Sequence, residues 1–250
     1  MNLRSRLILC SALALATSGV YAATSSAPSA VGAAVAHHAR PPVDRARDGV
    51  RKPTDVLAFA GIKAGDKVVD LIPGDGYYTR ILSKLVGPTG HVYMYVPIAG
   101  MPPQVRAAEH ALMKKGQVPA TDPVDMALSI QDMRGEFGNV TVIWEMLYAY
   151  GGNFGLPEQV DAVFTANAYH DLHVPGFVQP TGMFRGRPVE PPLPVVDIDK
   201  AIFRALKPGG SFVVVDDAAD KGAGFAKAQS LHRSEPDAVK AEITKRNWMI

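Results

Sequence analysis

The chain has 250 residues, of which 47% are hydrophobic and 20% are charged, a composition typical of a globular protein large enough to bury a core. Its net charge is +2, and without the first 22 residues the 26 basic side chains fall to 24, equal to the 24 acidic ones. A nucleic-acid partner favours a basic excess, so this balance argues against one.

The first 22 residues have the organisation of a secretory signal peptide. Two arginines precede the apolar run Leu7 to Ala16, and Val20 and Ala22 place small residues before a cleavage site. The alternative is an uncleaved membrane anchor, but this run is shorter than the about 20 apolar residues that a spanning helix needs. We therefore predict a periplasmic or secreted protein with no stable membrane anchor.

The single cysteine, Cys10, lies inside this signal segment. Leu9 is bulky where a lipid-attachment site has a small residue, so the sequence does not indicate a lipoprotein. The mature chain therefore has no cysteine, which excludes disulfides and a thiol nucleophile in it.

Residues 23–42 are rich in Ala, Ser and Pro and predict a flexible linker, and residues 43–250 predict one domain. Near the start of that domain, Pro53 is suited to the first turn of a helix. The apolar residues that follow it recur with helical spacing, and Gly61 ends the pattern.

Short apolar runs then alternate with helical patterns. The runs that predict strands are KVVDLI, HVYMYV, NVTVIW, VDAVFTA and SFVVVDD. The helices are predicted from Tyr78 to Leu85, Gln104 to Lys115, Asp199 to Leu206 and Asp237 to Lys245. This alternation predicts an α/β fold with a doubly wound, Rossmann-like, mostly parallel sheet that helices cover on both faces.

One segment interrupts this alternation. Residues 174–196 contain six prolines and three glycines, which excludes a helix or a central strand. Because this insertion follows the fourth predicted strand, we expect it to cross the ligand-binding end of the sheet as a lid. A plain surface loop is the alternative.

The loop DLIPGDG after the first predicted strand carries the strongest functional signal. Gly74 and Gly76 can adopt positive φ and allow the backbone to approach a ligand, and the helix that follows directs N–H groups toward it. Asp70 can accept a hydrogen bond from a ligand ammonium group, or alternatively cap that helix. Asp75 adds a negative charge that disfavours a pyrophosphate and favours a cationic ligand.

This loop resembles the first motif of the class I S-adenosylmethionine-dependent methyltransferases, an acid followed by alternating glycines, with Ile72 in place of one glycine. The resemblance covers Asp44 to the C-terminus, and it is closest to an exported group with DLxPGxGYxT and NxYHDLH segments. Further segments that resemble the family are AGIKAGDKVVDL, LPEQVDAVFTANAYHDLH and ALKPGGSFVVVDD.

The resemblance implies S-adenosylmethionine as cofactor, with its methionine part held by the loop and its adenine near Glu145. An exposed loop acid is the alternative for Glu145. The family usually has an acid at the end of the second strand for the ribose, and this chain has none there. The residues implied for the cofactor are Asp70, Gly74, Asp75, Gly76, Glu145 and Asn167.

The resemblance also implies that the segment after the fourth strand faces the transferred methyl group. His170 is the expected general base, because an ordinary imidazole pKa near 6.5 suits neutral pH, and Asp171 would orient it. Tyr169 is expected to face the substrate, with core packing as the alternative. His170 and His173 lack an evident third ligand, so we predict a free or structural histidine pair and no metal.

The expected function is methyl transfer from S-adenosylmethionine to an acceptor that the sequence does not identify. A non-catalytic exported binding protein with the same fold is the alternative. A nicotinamide oxidoreductase is disfavoured, because G-x-G-x-x-G and an acid after the second strand are both missing. The family sheet has two further strands, so we expect a C-terminally incomplete sheet with the fifth strand at its edge.

Cleavage after Ala22 generates the first testable prediction. N-terminal sequencing of the protein recovered from a bacterial periplasm or culture medium should begin at Ala23, since this is where the small-residue site ends. Retention of Met1, or a protein found only in the cytosol, would contradict the predicted export.

Overall fold

The structure is a computed structural model, and it describes residues 29–97, 135–145, 155–174 and 195–245. The predicted signal peptide, the predicted helix from Gln104 to Lys115 and most of the insertion 174–196 lie outside these ranges. In the part of the chain that is described, no helix is long and apolar enough to cross a membrane.

The described residues contain a five-stranded sheet in the order β3-β2-β1-β4-β5. Each neighbouring pair of strands is parallel, which confirms the predicted α/β fold. The chain proceeds from β1 to β3 on one side and returns to place β4 on the other, so the order reverses at β1. The strands are β1 Lys67–Leu71, β2 His91–Pro97, β3 Val140–Glu145, β4 Val160–Ala166 and β5 Leu206–Val215.

Helices α1 to α4 precede or follow β1, and α5 to α7 belong to the second half of the chain. A 3₁₀ helix, His170–His173, follows β4. The α-helices are α1 Ala30–Val35, α2 Pro42–Arg51, α3 Pro53–Ala60, α4 Tyr77–Val86, α5 Val195–Ala205, α6 Ala228–Leu231 and α7 Pro236–Lys245.

Two predicted boundaries need correction. Helix α5 begins at Val195, so the last two residues of the predicted insertion are already helical. The KPGG turn expected before the fifth strand lies within β5, where Gly209 has a φ of +81°. The pairing of β4 with β5 shifts register at this point, because the turn interrupts the ladder.

Both faces of the sheet are covered by apolar side chains. Val69 of β1 lies in one buried cluster with Ile198 of α5. Its neighbour Val68 lies in a second cluster with Leu57 of α3. Because successive strand residues point to opposite faces, a continuous apolar strand such as β1 requires helices on both sides.

The predicted flexible linker is wrong for residues 29–42. Ser29 caps helix α1 by accepting a hydrogen bond from the Gly32 N–H at 3.0 Å, and Ala34 is buried. The helix packs against α3 and α4. Alanine has the highest helix propensity and its small side chain permits close packing, so an Ala-rich composition indicated flexibility where the chain forms a docked helix.

Buried ion pairs join helix α2 to helix α4. Arg80 donates to Asp44 through Nε at 2.6 Å and through Nη2 at 3.0 Å, and both side chains are buried. Arg40 forms a bidentate pair with Asp48, which also accepts the hydroxyl of Tyr77. Breaking a buried pair leaves an uncompensated charge, so these contacts fix the N-terminal helices on the first turn of α4.

Candidate functional site

The strand order creates a crevice at the carboxyl edge of the sheet. In an open parallel sheet, ligands bind where strand order reverses, because the loops after the two adjacent strands diverge there. In this sheet the reversal lies between β1 and β4. The loop 72–76 follows β1 and the segment 167–171 follows β4, so both sequence-predicted parts of the site lie at this edge of the sheet.

The loop after β1 contains three residues with left-handed backbone. Gly74 has a φ of +56°, Gly76 has a φ of +79°, and Ile72 has a φ of +57°. A β-branched residue rarely adopts this conformation, which costs on the order of 1–3 kcal/mol. Ile72 is held there by the hydrogen bond that its N–H donates to the Tyr95 carbonyl at 3.0 Å. The loop therefore keeps the glycine conformation at the position where the glycine is lost.

Asp70 lies beneath this loop as a buried residue of β1. Its carboxylate accepts hydrogen bonds from the hydroxyl and the backbone N–H of Thr79 in the first turn of α4. Burial raises the pKa of Asp70 to about 7, although the Thr79 bonds and the charge of Arg80 oppose that rise. Asp70 therefore makes the helix-capping contact that the sequence gave as the alternative, and its role toward a ligand stays a prediction.

Asp75 is engaged by the N-terminal helices. Its carboxylate lies 2.7 Å from Arg47 of α2, and it accepts the N–H of Tyr77 at 3.3 Å. Asp75 thus brings the negative charge that the sequence predicts, and this charge is paired with Arg47. Together with Asp70, Asp75 accepts N–H groups of the first turn of α4, which are the groups that a phosphate would otherwise bind.

His170 lies between two carboxylates in the segment after β4. Its Nδ1 donates to Asp216 at 2.8 Å, and its Nε2 lies 3.2 Å from Asp171. Burial alone would lower the pKa of His170, but the hydrogen bonds to Asp171 and Asp216 outweigh it and raise the pKa to about 9. This shift favours the protonated imidazole, whereas the predicted general base needs the neutral form, so the role of His170 as a base stays a prediction.

Two residues that contact His170 were not predicted from the sequence. Asp216 directly follows β5, and it also accepts the backbone N–H of His170 at 2.9 Å. The acidic end of SFVVVDD was a usable signal, because the carboxyl ends of β4 and β5 meet at the same edge. His232 follows helix α6 and places Nδ1 at 3.3 Å from His170 Nε2. No sequence motif marks it.

Tyr169 is fully buried, contrary to the prediction that it faces the substrate. Its hydroxyl donates to Glu242 at 2.8 Å, and burial together with nearby carboxylates raises its pKa. His173 also contacts Glu242, through Nε2 at 3.0 Å, and its ring stacks on Phe225. Tyr169 and His173 therefore join the 3₁₀ helix to helix α7 and to the core.

The remaining predicted residues lie at the same edge. Asn167 is exposed, has a φ of +54°, and donates its N–H to the Val215 carbonyl at 2.7 Å. Glu145 ends β3 and is in register with Pro97, the last residue of β2. It is therefore the acidic position next to the strand end where the resemblance leads one to expect a ribose-binding acid. Its contact with adenine and the role of Asn167 stay predictions.

The known proteins to which this chain is similar include several methyltransferases. No protein-family model matches the chain. Over 57 residues it is 38% identical to a protein-L-isoaspartate O-methyltransferase from Ignicoccus hospitalis, a match that spans 23% of this chain and 27% of that protein. The chain thus matches little more than a quarter of this relative's length.

Two solved structures are similar in architecture. A SAM-dependent methyltransferase from Aquifex aeolicus has a TM-score of 0.47 and 19% identity, with 80% of this chain and 81% of that one covered. An arsenic(III) S-adenosylmethionine methyltransferase from Chlamydomonas reinhardtii has a TM-score of 0.47 and 17% identity, with 88% and 62% covered. The described residues of this chain form an all-parallel α/β sheet with flanking helices. These likenesses concern the fold and leave the reaction to be argued from the site.

The strained residue of the loop 72–76 leads to a prediction about stability. Ile72→Gly and Ile72→Ala both remove the side chain, but only glycine adopts a φ of +57° without strain. We expect Ile72→Gly to be more stable than Ile72→Ala by about 1 kcal/mol, measured by urea unfolding. The same pair at Val50, exposed in helix α2, should show the reverse order, because helices favour alanine. Equal or greater stability of Ile72→Ala would contradict the strained loop.

The raised pKa of Asp70 predicts a pH-dependent stability. Between the unfolded pKa of about 3.9 and the folded pKa of about 7, only the folded state holds the proton, so stability falls as pH rises through this range. Above pH 7, the free energy of unfolding is lower by at most about 4 kcal/mol. Asp70→Asn should therefore gain stability over the wild type at pH 8 but not at pH 4.

Urea unfolding of both proteins at the two pH values measures this difference. Asp55→Asn is the control, because Asp55 is exposed in the first turn of α3. A stability difference between Asp70→Asn and the wild type that is the same at pH 4 and pH 8 would show that Asp70 is already ionised in the folded protein.

Proposed function

We propose that this protein is a methyltransferase that uses S-adenosylmethionine. The observation that carries the proposal is the loop 72–76, which combines three left-handed residues with a buried aspartate cap at the point where strand order reverses. Such a backbone lets a ligand approach without side-chain obstruction. Among the residues that the structure describes, none has an atom within 4 Å of a Cβ added to Gly74.

The charges around the loop favour this cofactor over a dinucleotide. A pyrophosphate binds to the free N–H groups at a helix N-terminus. Here Asp70 accepts from the N–H of Thr79 and Asp75 from the N–H of Tyr77, so two carboxylates take the place of the phosphate. S-adenosylmethionine has a sulfonium and an ammonium group and no phosphate, so this arrangement does not exclude it.

The segment after β4 is the proposed acceptor side. S-adenosylmethionine held by the loop 72–76 would supply the methyl group, and an acceptor beside the segment after β4 would approach it in line. Much of the rate of such a transfer comes from proximity and orientation, so a strong base is not essential. His170 lies on this side with its ring oriented by Asp171 and Asp216.

Isothermal titration calorimetry with S-adenosylmethionine tests the proposal. Gly74→Val places a branched side chain on the backbone of the loop, and we expect affinity to fall at least about tenfold, or about 1.4 kcal/mol. The matched control is Gly61→Val. Gly61 also has a positive φ, of +68°, and no described atom within 4 Å of an added Cβ, but it precedes β1 and lies away from the carboxyl edge.

The two variants separate a local effect from general strain. Loss of affinity in Gly74→Val with retention in Gly61→Val supports the loop as the cofactor site. Equal affinity in both variants, or no binding by the wild type, overturns the proposal. Transfer of labelled methyl to a mixture of small-molecule acceptors then distinguishes a methyltransferase from a protein that binds the cofactor without turnover.

A further inference from the structure

Three side chains at the carboxyl edge of the sheet have the composition of a metal site. His170 Nε2 lies 3.2 Å from Asp171 Oδ1 and 3.3 Å from His232 Nδ1. Asp171 Oδ1 lies 3.8 Å from His232 Nδ1. Two imidazole nitrogens and one carboxylate oxygen thus form a compact triangle, and these three residues form the described group whose ligand atoms converge in this way.

The size of this triangle matches the coordination of a tetrahedral ion. Zn²⁺ binds imidazole nitrogen and carboxylate oxygen at about 2.0–2.2 Å, so two ligand atoms on a tetrahedral Zn²⁺ are about 3.3–3.6 Å apart. The three observed separations, from 3.2 to 3.8 Å, span this value. An ion at the centre needs only small side-chain adjustments, and it replaces the proton on His170 Nε2.

The residues around the triangle hold it in place. Metal-bound histidines usually donate their other ring N–H to a carboxylate, which fixes the ring and its tautomer. Here His170 Nδ1 donates to Asp216, which is itself held by the Asp217 N–H at 3.0 Å and the Ser234 hydroxyl at 3.3 Å. The ligand nitrogen Nε2 therefore has a fixed direction before any ion binds.

The backbone conformation and the exposure of His232 also suit a metal site. It is a non-glycine residue with a φ of +53°, and this left-handed backbone ends helix α6 and brings its ring beside that of His170. Its side chain is 70% exposed, whereas His170 is buried. The triangle therefore has a closed side formed by the protein and an open side that solvent reaches.

We propose that His170, Asp171 and His232 bind a divalent metal ion of the Zn²⁺ type. Two imidazoles and one carboxylate favour borderline ions such as Zn²⁺ over Mg²⁺ or Ca²⁺, which prefer oxygen ligands only. Three protein ligands with an open fourth position are the arrangement of zinc sites that bind water or a substrate. The proposal does not rest on methyl transfer, because its ligands lie outside the loop 72–76. It departs from the sequence prediction of no metal, which found no third ligand for His170 and His173, because His232 lies beside His170 and Asp171.

Calorimetric titration of the purified chain with Zn²⁺, after removal of metal with a chelator, tests the site. We expect one ion per chain at a pH of about 8, with release of a proton, because the ion takes the place of the proton on His170 Nε2. His232→Gly should abolish this binding while keeping the turn, because glycine accepts the positive φ. Asp216→Asn should weaken it about 10–100-fold, since Asp216 only positions His170.

The control is His38→Ala, which removes an exposed histidine stacked on His37 and thus a second candidate for nonspecific binding. It should bind Zn²⁺ as the wild type does. Thermal melting supplies another readout, because the ion should raise the Tm of the wild type and not that of His232→Gly. Binding that survives His232→Gly, or that is lost in His38→Ala, would overturn the proposal, as would the absence of a one-to-one complex with the wild type.

Discussion

The hydrogen bonds from Thr79 to the buried Asp70 carboxylate are the contact on which the site depends. They join the end of β1 to the first turn of α4, so the loop between these elements has little freedom. That constraint explains how Ile72 remains in a left-handed conformation that a β-branched residue avoids. It also explains why Asp70 is retained in a buried place where ionisation is costly. The loop thus keeps a left-handed conformation at Ile72 although this residue is not a glycine.

The N-terminal helices extend this constraint to the outside of the loop. Asp44 pairs with Arg80 in α4, and Arg47 pairs with Asp75 between the two glycines. The loop is therefore held from below by β1 and from the side by α2. Because a buried ion pair is costly to break, the segment that covers the loop behaves as part of the domain rather than as a tether.

On the opposite side of the crevice, environment decides the chemistry of His170. An isolated imidazole suits a general base, but two carboxylates stabilise the charged form of this one. The same contacts give the ring a fixed orientation and leave Nε2 beside His232. A residue that the sequence presents as a base is thereby better suited to hold a charge or an ion. The chemistry follows from neighbours that lie 46 and 62 residues away in sequence.

The sequence by itself determined the five strands, their parallel arrangement and the glycine loop, because apolar runs and glycines act over a few residues. It left open whether Asp70 caps a helix and whether Tyr169 is core, and it misread the Ala-rich segment before Pro42. Only the tertiary structure decided these points. Burial, pKa and ion pairing depend on partners such as Asp216, Glu242 and Arg47, which local patterns do not reveal, since they come together only when separate strands and helices meet.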